Sequence, residues 1–174
     1  MIPINRLGAA PDEFKLSLGE VCIRWSEVEH MIVLLFCGVM RIHYAAGKHA
    51  LHNATNINMR LNMVRNAIEE FPPHKDGFLE DFDKQGTELR KLASRRAKFV
   101  HGRWVTMANG EVRLLRPSGK QGDAKADRVV RISELAHLSA SIDRLYREFA
   151  ALTNEVRPIP ELPDELKSRQ SISS

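Results

Sequence analysis

The stretch Ser94-Arg95-Arg96-Ala97-Lys98-Phe99-Val100-His101-Gly102-Arg103-Trp104 brings cationic side chains, a histidine and two aromatics together. Arg96 breaks a pattern. Apolar spacing in this part of the chain runs Phe78, Phe82, Gln85, Leu89, Leu92, Arg96, Phe99. At about 100° per residue, Arg96 falls within about 10° of the centre of that stripe. A guanidinium on a packed seam needs partners, because an unpaired buried charge costs several kcal/mol. Glu29, about 80° off the stripe of the first helix, is the candidate ion-pair partner. Otherwise this end of the seam faces a cleft or a second subunit, or the arginine snorkels at a helix end. His101 diverges from Arg96 by about 140° in an ideal helix. The two converge on one ligand if the helix unwinds at Val100–Gly102, or if two chains pair about a two-fold axis.

The surrounding charge points to an anionic ligand. Between Arg90 and Arg131 there are twelve Lys and Arg against three acidic residues, Glu111, Asp123 and Asp127, although the whole chain carries only +4. The remainder holds fourteen basic and nineteen acidic residues. Such asymmetry suits a polyanion partner; a solvated basic face is the alternative, since aromatics for base stacking are sparse here.

Other constellations carry less. Two Glu-x-x-His pairs, Glu27/His30 and Glu134/His137, have the spacing of a di-metal helix bundle. Their angles argue against it, because His30 lies opposite its helix's apolar stripe and His137 about 120° from the centre of its own. His49 and His52 are one turn apart, near His43, with no carboxylate or thiolate close in sequence to complete a set. The sequence has no Gly-rich phosphate loop, serine-nucleophile motif or Cys/His zinc spacing. No metal or cofactor is expected.

Four helices must position these groups. The first opens at Ala10-Pro11-Asp12-Glu13 and repeats apolar residues at Phe14, Leu18, Val21, Trp25, Val28, Ile32, Leu35, Val39 and Ile42, with Gly47 as the stop. The second carries Ile57, Leu61, Val64, Ile68 and Phe71 and ends at Pro72-Pro73. The third starts near Asp76 as N-cap and ends at Gly102. Residues 103–107 and 111–116 then flank Asn109-Gly110, a hairpin signal. A basic loop over 117–127 and a short strand over 128–132 follow. The fourth helix is capped by Ser133 and carries Leu135, Leu138, Ile142, Leu145, Phe149, Leu152 and Val156.

The expected fold is therefore mainly α: an antiparallel four-helix bundle with a small β-hairpin or short sheet inserted between helices 3 and 4. The domain spans 1–156, with the β insertion at about 103–132 and a proline-containing tail at 157–174. At 174 residues the chain can bury a core without disulfides. Cys22 and Cys37 on one helix lie about 22 Å apart, beyond disulfide reach. The N-terminus has no signal-like apolar region, and the longest apolar run, residues 31–40, is half a bilayer span. A cytoplasmic protein with no membrane association is expected.

Arg96, four intervening residues and His101, at the end of a helix in a four-helix domain, resemble the motif of the HEPN superfamily. Gly102-Arg103-Trp104 ahead of a hairpin, with Trp25 and Glu29 on the first helix, resembles uncharacterised bacterial branches of that group. The likeness covers the four helices in outline, while the motif itself is six residues. It implies a metal-independent endoribonuclease acting as a homodimer, with the Arg/His pairs of two chains forming one cleft. Arg96 would bind the scissile phosphate and stabilise its transition-state charge. His101 would transfer a proton or orient the 2′-hydroxyl, giving a 2′,3′-cyclic phosphate. Arg95, Lys98 and Arg103 would contact backbone phosphates. A toxin–antitoxin or defence setting, with an antitoxin protein as partner, comes from the same likeness. Ala97 stands where the family commonly has a polar residue. The alternative is a non-catalytic helical interaction or assembly module in which Arg96 makes a structural ion pair.

Overall fold

The structure, a computed structural model, describes residues 11–54, 56–73, 75–115 and 128–156. The tail and the basic loop expected at 117–127 lie outside these. The chain is mainly helical, with a small antiparallel sheet between its last two helices. Its elements are α1 (Asp12–Met40), α2 (Tyr44–His52), α3 (Ile57–Glu70), α4 (Phe78–Val100), β1 (Arg103–Thr106), β2 (Val112–Leu115), β3 (Arg128–Val129) and α5 (Ile132–Glu155). They form two compact units. One combines residues up to Glu27 with Glu88–Leu145; the other combines Val28–Thr87 with residues from Tyr146 on.

In the first unit the stripes of three helices supply the core. Phe14, Val21 and Trp25 of α1, Leu89, Leu92 and Phe99 of α4, and Leu135, Leu138, Ile142 and Leu145 of α5 are all buried. The sheet adds Trp104, Val105, Val112, Leu114 and, beside β3, Val130. Strand order is β1-β2-β3, antiparallel throughout, with Thr106 opposite Val112 and Arg113 opposite Val129. Asn109-Gly110 makes the turn in a three-residue loop: Gly110 N–H donates to Met107 O and Met107 N–H to Glu111 O, both at 2.9 Å. Gly110 takes the left-handed position at φ 82°, as such loops require, and the Asn109 side chain accepts from Glu111 N–H.

Two helix starts differ from their expected caps. The α5 helix opens before Ser133 because Glu134 performs the capping, accepting the Arg131 N–H at 3.1 Å, the return half of a capping box. The α4 helix begins at Phe78 rather than at Asp76, after Gly77 at φ 78°.

The second unit buries Val28, Ile32, Leu35, Phe36, Cys37 and Val39 of α1 with Leu51, Ala54, Leu61, Val64, Ala67, Ile68, Phe78, Phe82, Phe149 and Leu152. Phe82 and Phe149 meet edge to face at 6.2 Å. Here the expected first helix is corrected. It does not reach Gly47 but ends at Met40, and α2 leaves at 116° to it. Arg41 adopts φ 52°, while Ile42 N–H donates to Cys37 O and Arg41 N–H to Gly38 O. That is a Schellman termination with arginine in the position usually given to glycine. Gly47 lies inside α2 and is buried, packed so closely that a Cβ there would overlap Cys37 Sγ. It serves close packing rather than helix termination. Phe71, expected on the core stripe of its helix, is half-exposed at the C-cap of α3.

Candidate nucleic-acid interface

The α4 stripe is buried at Leu89, Leu92 and Phe99, and Arg96 sits half-buried among them. Its Cζ lies 5.3 Å from the centroid of the Trp25 ring, within the range of a cation–π contact. Its Nε is enclosed without a hydrogen-bond partner among the described residues. The expected counter-ion is committed elsewhere: Glu29 Oε1 lies 3.3 Å from Arg60 Nη1. Arg60 is steered there because its own Nε donates to Ala54 O. In place of the ion pair expected with Glu29, Arg96 has a cation–π contact with Trp25. Trp25 lies on the apolar stripe of α1, and its pairing with Arg96 joins residues distant in sequence, so no local spacing signals it.

His101 is exposed. Its N–H still donates to Ala97 O at 3.0 Å, so helical hydrogen bonding runs through His101 and ends at Gly102. The unwinding that would bring His101 round to Arg96 does not occur, and the two keep helical spacing. No hydrogen bond joins them among the described residues.

The turn after His101 is built by close packing. A Cβ on Gly102 would overlap Leu114 Cδ1 and come within 2.5 Å of Lys98 O, so only glycine lets the hairpin approach this helix end. Trp104 Nε1 donates to Phe99 O at 2.8 Å, covering a carbonyl that the helix end leaves free. Its ring stacks on Phe99 and meets Phe14 edge to face, each at 6.0 Å. The Gly-Arg-Trp part of the opening stretch is thus a structural lock that fixes where His101 is presented.

Around that end, Arg95, Lys98 and Arg103 are exposed and make no ion pair among the described residues. Arg128 is engaged, its Nη1 2.6 Å from Glu134 Oε2 and its Cζ 5.4 Å from the Phe99 ring. Burial alone would raise the Glu134 carboxyl. The Arg131 N–H and the Arg128 guanidinium outweigh it and hold the group below its ordinary value.

The histidine pairs are used otherwise. His30 Nδ1 lies 3.0 Å from Tyr44 Oη, Glu27 pairs with Arg24, and His137 is exposed. Among the described residues no three His, Cys, Asp or Glu gather as metal ligands. A cleft of about 490 Å³ in the second unit, lined by Val39, Met40, Arg41, Phe71, Pro73 and Val156 among others, includes neither Arg96 nor His101. No single helix among the described residues is long and apolar enough to cross a membrane.

No protein-family model matches the chain, and no match is found among curated proteins or solved structures.

Proposed function

We propose that the chain binds RNA and cleaves it as a homodimer of HEPN type, without a metal. The observation carrying this reading is Arg96: a guanidinium with no carboxylate partner among the described residues, on the helix whose exposed end presents His101. Exposed Arg95, Lys98 and Arg103 on the same end suit contacts to a phosphate backbone. Within one chain Arg96 and His101 keep helical spacing, so the reading places the groups of two chains in one cleft. There the 2′-oxygen of a ribose attacks the adjacent phosphorus while the P–O5′ bond breaks. Arg96 offsets the charge growing on the phosphoryl oxygens. His101 takes the 2′-hydroxyl proton or orients that hydroxyl, and a proton reaches the departing 5′-oxygen. The products are a 2′,3′-cyclic phosphate and a 5′-hydroxyl. The cellular setting is a cytoplasmic toxin–antitoxin or defence pair, with an antitoxin protein as second partner.

The test incubates purified protein with total tRNA and mRNA in EDTA, beside Arg96→Ala and His101→Ala. Wild-type cleavage, with each variant reduced by roughly 10²–10⁴-fold and cyclic phosphate at the new 3′ ends, is the expected result. Equal, negligible cleavage by all three overturns it.

The Trp25 contact favours a second reading, a non-catalytic interaction module in which Arg96 is structural. On that reading Arg96→Ala lowers the melting temperature, and the wild type binds no RNA even at low salt.

A further inference from the structure

We infer that Trp25 is the positioning residue for Arg96, holding its guanidinium over the indole ring while leaving its charge free for a phosphate. The inference rests on the RNA reading for the identity of that phosphate, and on the structure for the geometry. Trp25 is 4% exposed and embedded in α1, so its ring is itself fixed by packing. The guanidinium carbon stands 5.3 Å from the ring centroid.

The way a cation is held decides what it can do next. An arginine held by a carboxylate is neutralised by it, and an incoming phosphate must compete with that partner. An arginine held by an indole face is oriented through the ring quadrupole and keeps its full charge and its donors. Arg24, the neighbour of Trp25, shows the contrast within the same unit: it pairs with Glu27 at 3.2 Å and lies 3.6 Å from Asp143. Two acids thus occupy Arg24, and none among the described residues pairs with Arg96. The enclosed Nε sets one side of the fork against the protein, and no hydrogen bond or ion pair among the described residues takes Nη1 or Nη2.

The experiment compares wild type, Trp25→Phe, Trp25→Leu, Arg96→Ala and the Trp25→Leu/Arg96→Ala double variant, each checked for native circular dichroism. Binding of a labelled single-stranded RNA is followed by anisotropy, and cleavage is measured in parallel. Trp25→Leu weakens binding about tenfold, the size of a partly desolvated cation–π contact, and Trp25→Phe restores most of it. The double variant is no weaker than Arg96→Ala, because Trp25 acts only through Arg96.

A second arm needs no RNA. The chain has two tryptophans, so the difference in emission between wild type and Trp25→Phe reports Trp25. Inorganic pyrophosphate changes that signal in the wild type and leaves it unchanged in Arg96→Ala. Protein that ignores RNA yet gives this Arg96-dependent response removes the RNA reading and upholds the inference. Where the wild type binds RNA, additive losses in the double variant or Trp25→Leu equal to wild type overturn the inference; a Trp25 signal indifferent to both pyrophosphate and Arg96→Ala overturns it whatever happens with RNA.

Discussion

Trp104 donates its indole N–H to the carbonyl of Phe99 at 2.8 Å, and the rings of the two residues stack 6.0 Å apart. One side chain therefore satisfies the end of α4 and seats the first strand on it. Removing the donor leaves a buried carbonyl without a partner, which costs about 1–3 kcal/mol. Trp104→Phe keeps an aromatic ring and loses the hydrogen bond. Its unfolding free energy in urea should fall by about 2 kcal/mol, with the midpoint moving and the slope unchanged.

Gly47 and Cys37 form a matched pair, since a Cβ at 47 would occupy the space of the Cys37 sulfur. Overpacking of this kind costs about 1–3 kcal/mol. Gly47→Ala should destabilise by that amount, and Gly47→Ala combined with Cys37→Ala should recover a large part of it. A double-mutant cycle from denaturant curves checks the pair, and additivity would refute the match.

Arg41 occupies a left-handed position at the end of α1, where a side chain costs about 1–2 kcal/mol relative to glycine. Glycine also frees the unfolded chain, which takes back part of the gain. Arg41→Gly should stabilise the protein by about 0.5–1 kcal/mol, seen as a higher melting temperature.

Glu134 caps α5 through Arg131 N–H and pairs with Arg128, and its carboxyl is held below its ordinary value of 4.5. Because the folded value is the lower one, its contribution is complete above that ordinary value and is lost as pH falls through the folded value. Wild type and Glu134→Gln should thus differ in stability at pH 7, by about 1 kcal/mol, and converge in acid below pH 4.5. Thermal melts of both proteins across this range measure the convergence.

Arg95, Lys98 and Arg103 are the exposed cations at the end of α4. If each meets one phosphate of a single strand, replacing all three by alanine lowers the slope of log K against log salt by roughly 2, at about 0.7 per contact. A salt titration of RNA binding reads this directly. An unchanged slope assigns the contacts to other residues.

Helical repeats leave a strong trace in sequence, and the spacing from Phe78 to Phe99 places the buried face of α4 residue by residue. The break at Arg41 leaves no trace. The apolar pattern continues through Ile42, and the left-handed residue is neither Gly nor Asn. Gly47 sent a misleading signal because glycine marks close packing as well as helix ends. Ser133 misled for a related reason: a good capping residue was present, and the carboxylate one position later reached the free N–H instead. The site was half legible. Arg96 stood out as a charge on a seam, but its partner depended on which helix faces meet, and Glu29, the candidate carboxylate, pairs with Arg60. The Gly102 and Trp104 lock needs the hairpin folded back on the helix end, a contact that no local propensity encodes.

The division of the chain into two units has a consequence during synthesis. Residues 12–27 of α1 belong with Glu88–Leu145, whereas the segment between them, Val28–Thr87, serves the other unit. A nascent chain lengthening at about 5–20 residues per second leaves the first half of α1 without its core partners for on the order of ten seconds. Throughout that interval Phe14, Val21 and Trp25 are apolar surface in search of a partner, and they are the residues a chaperone would meet first.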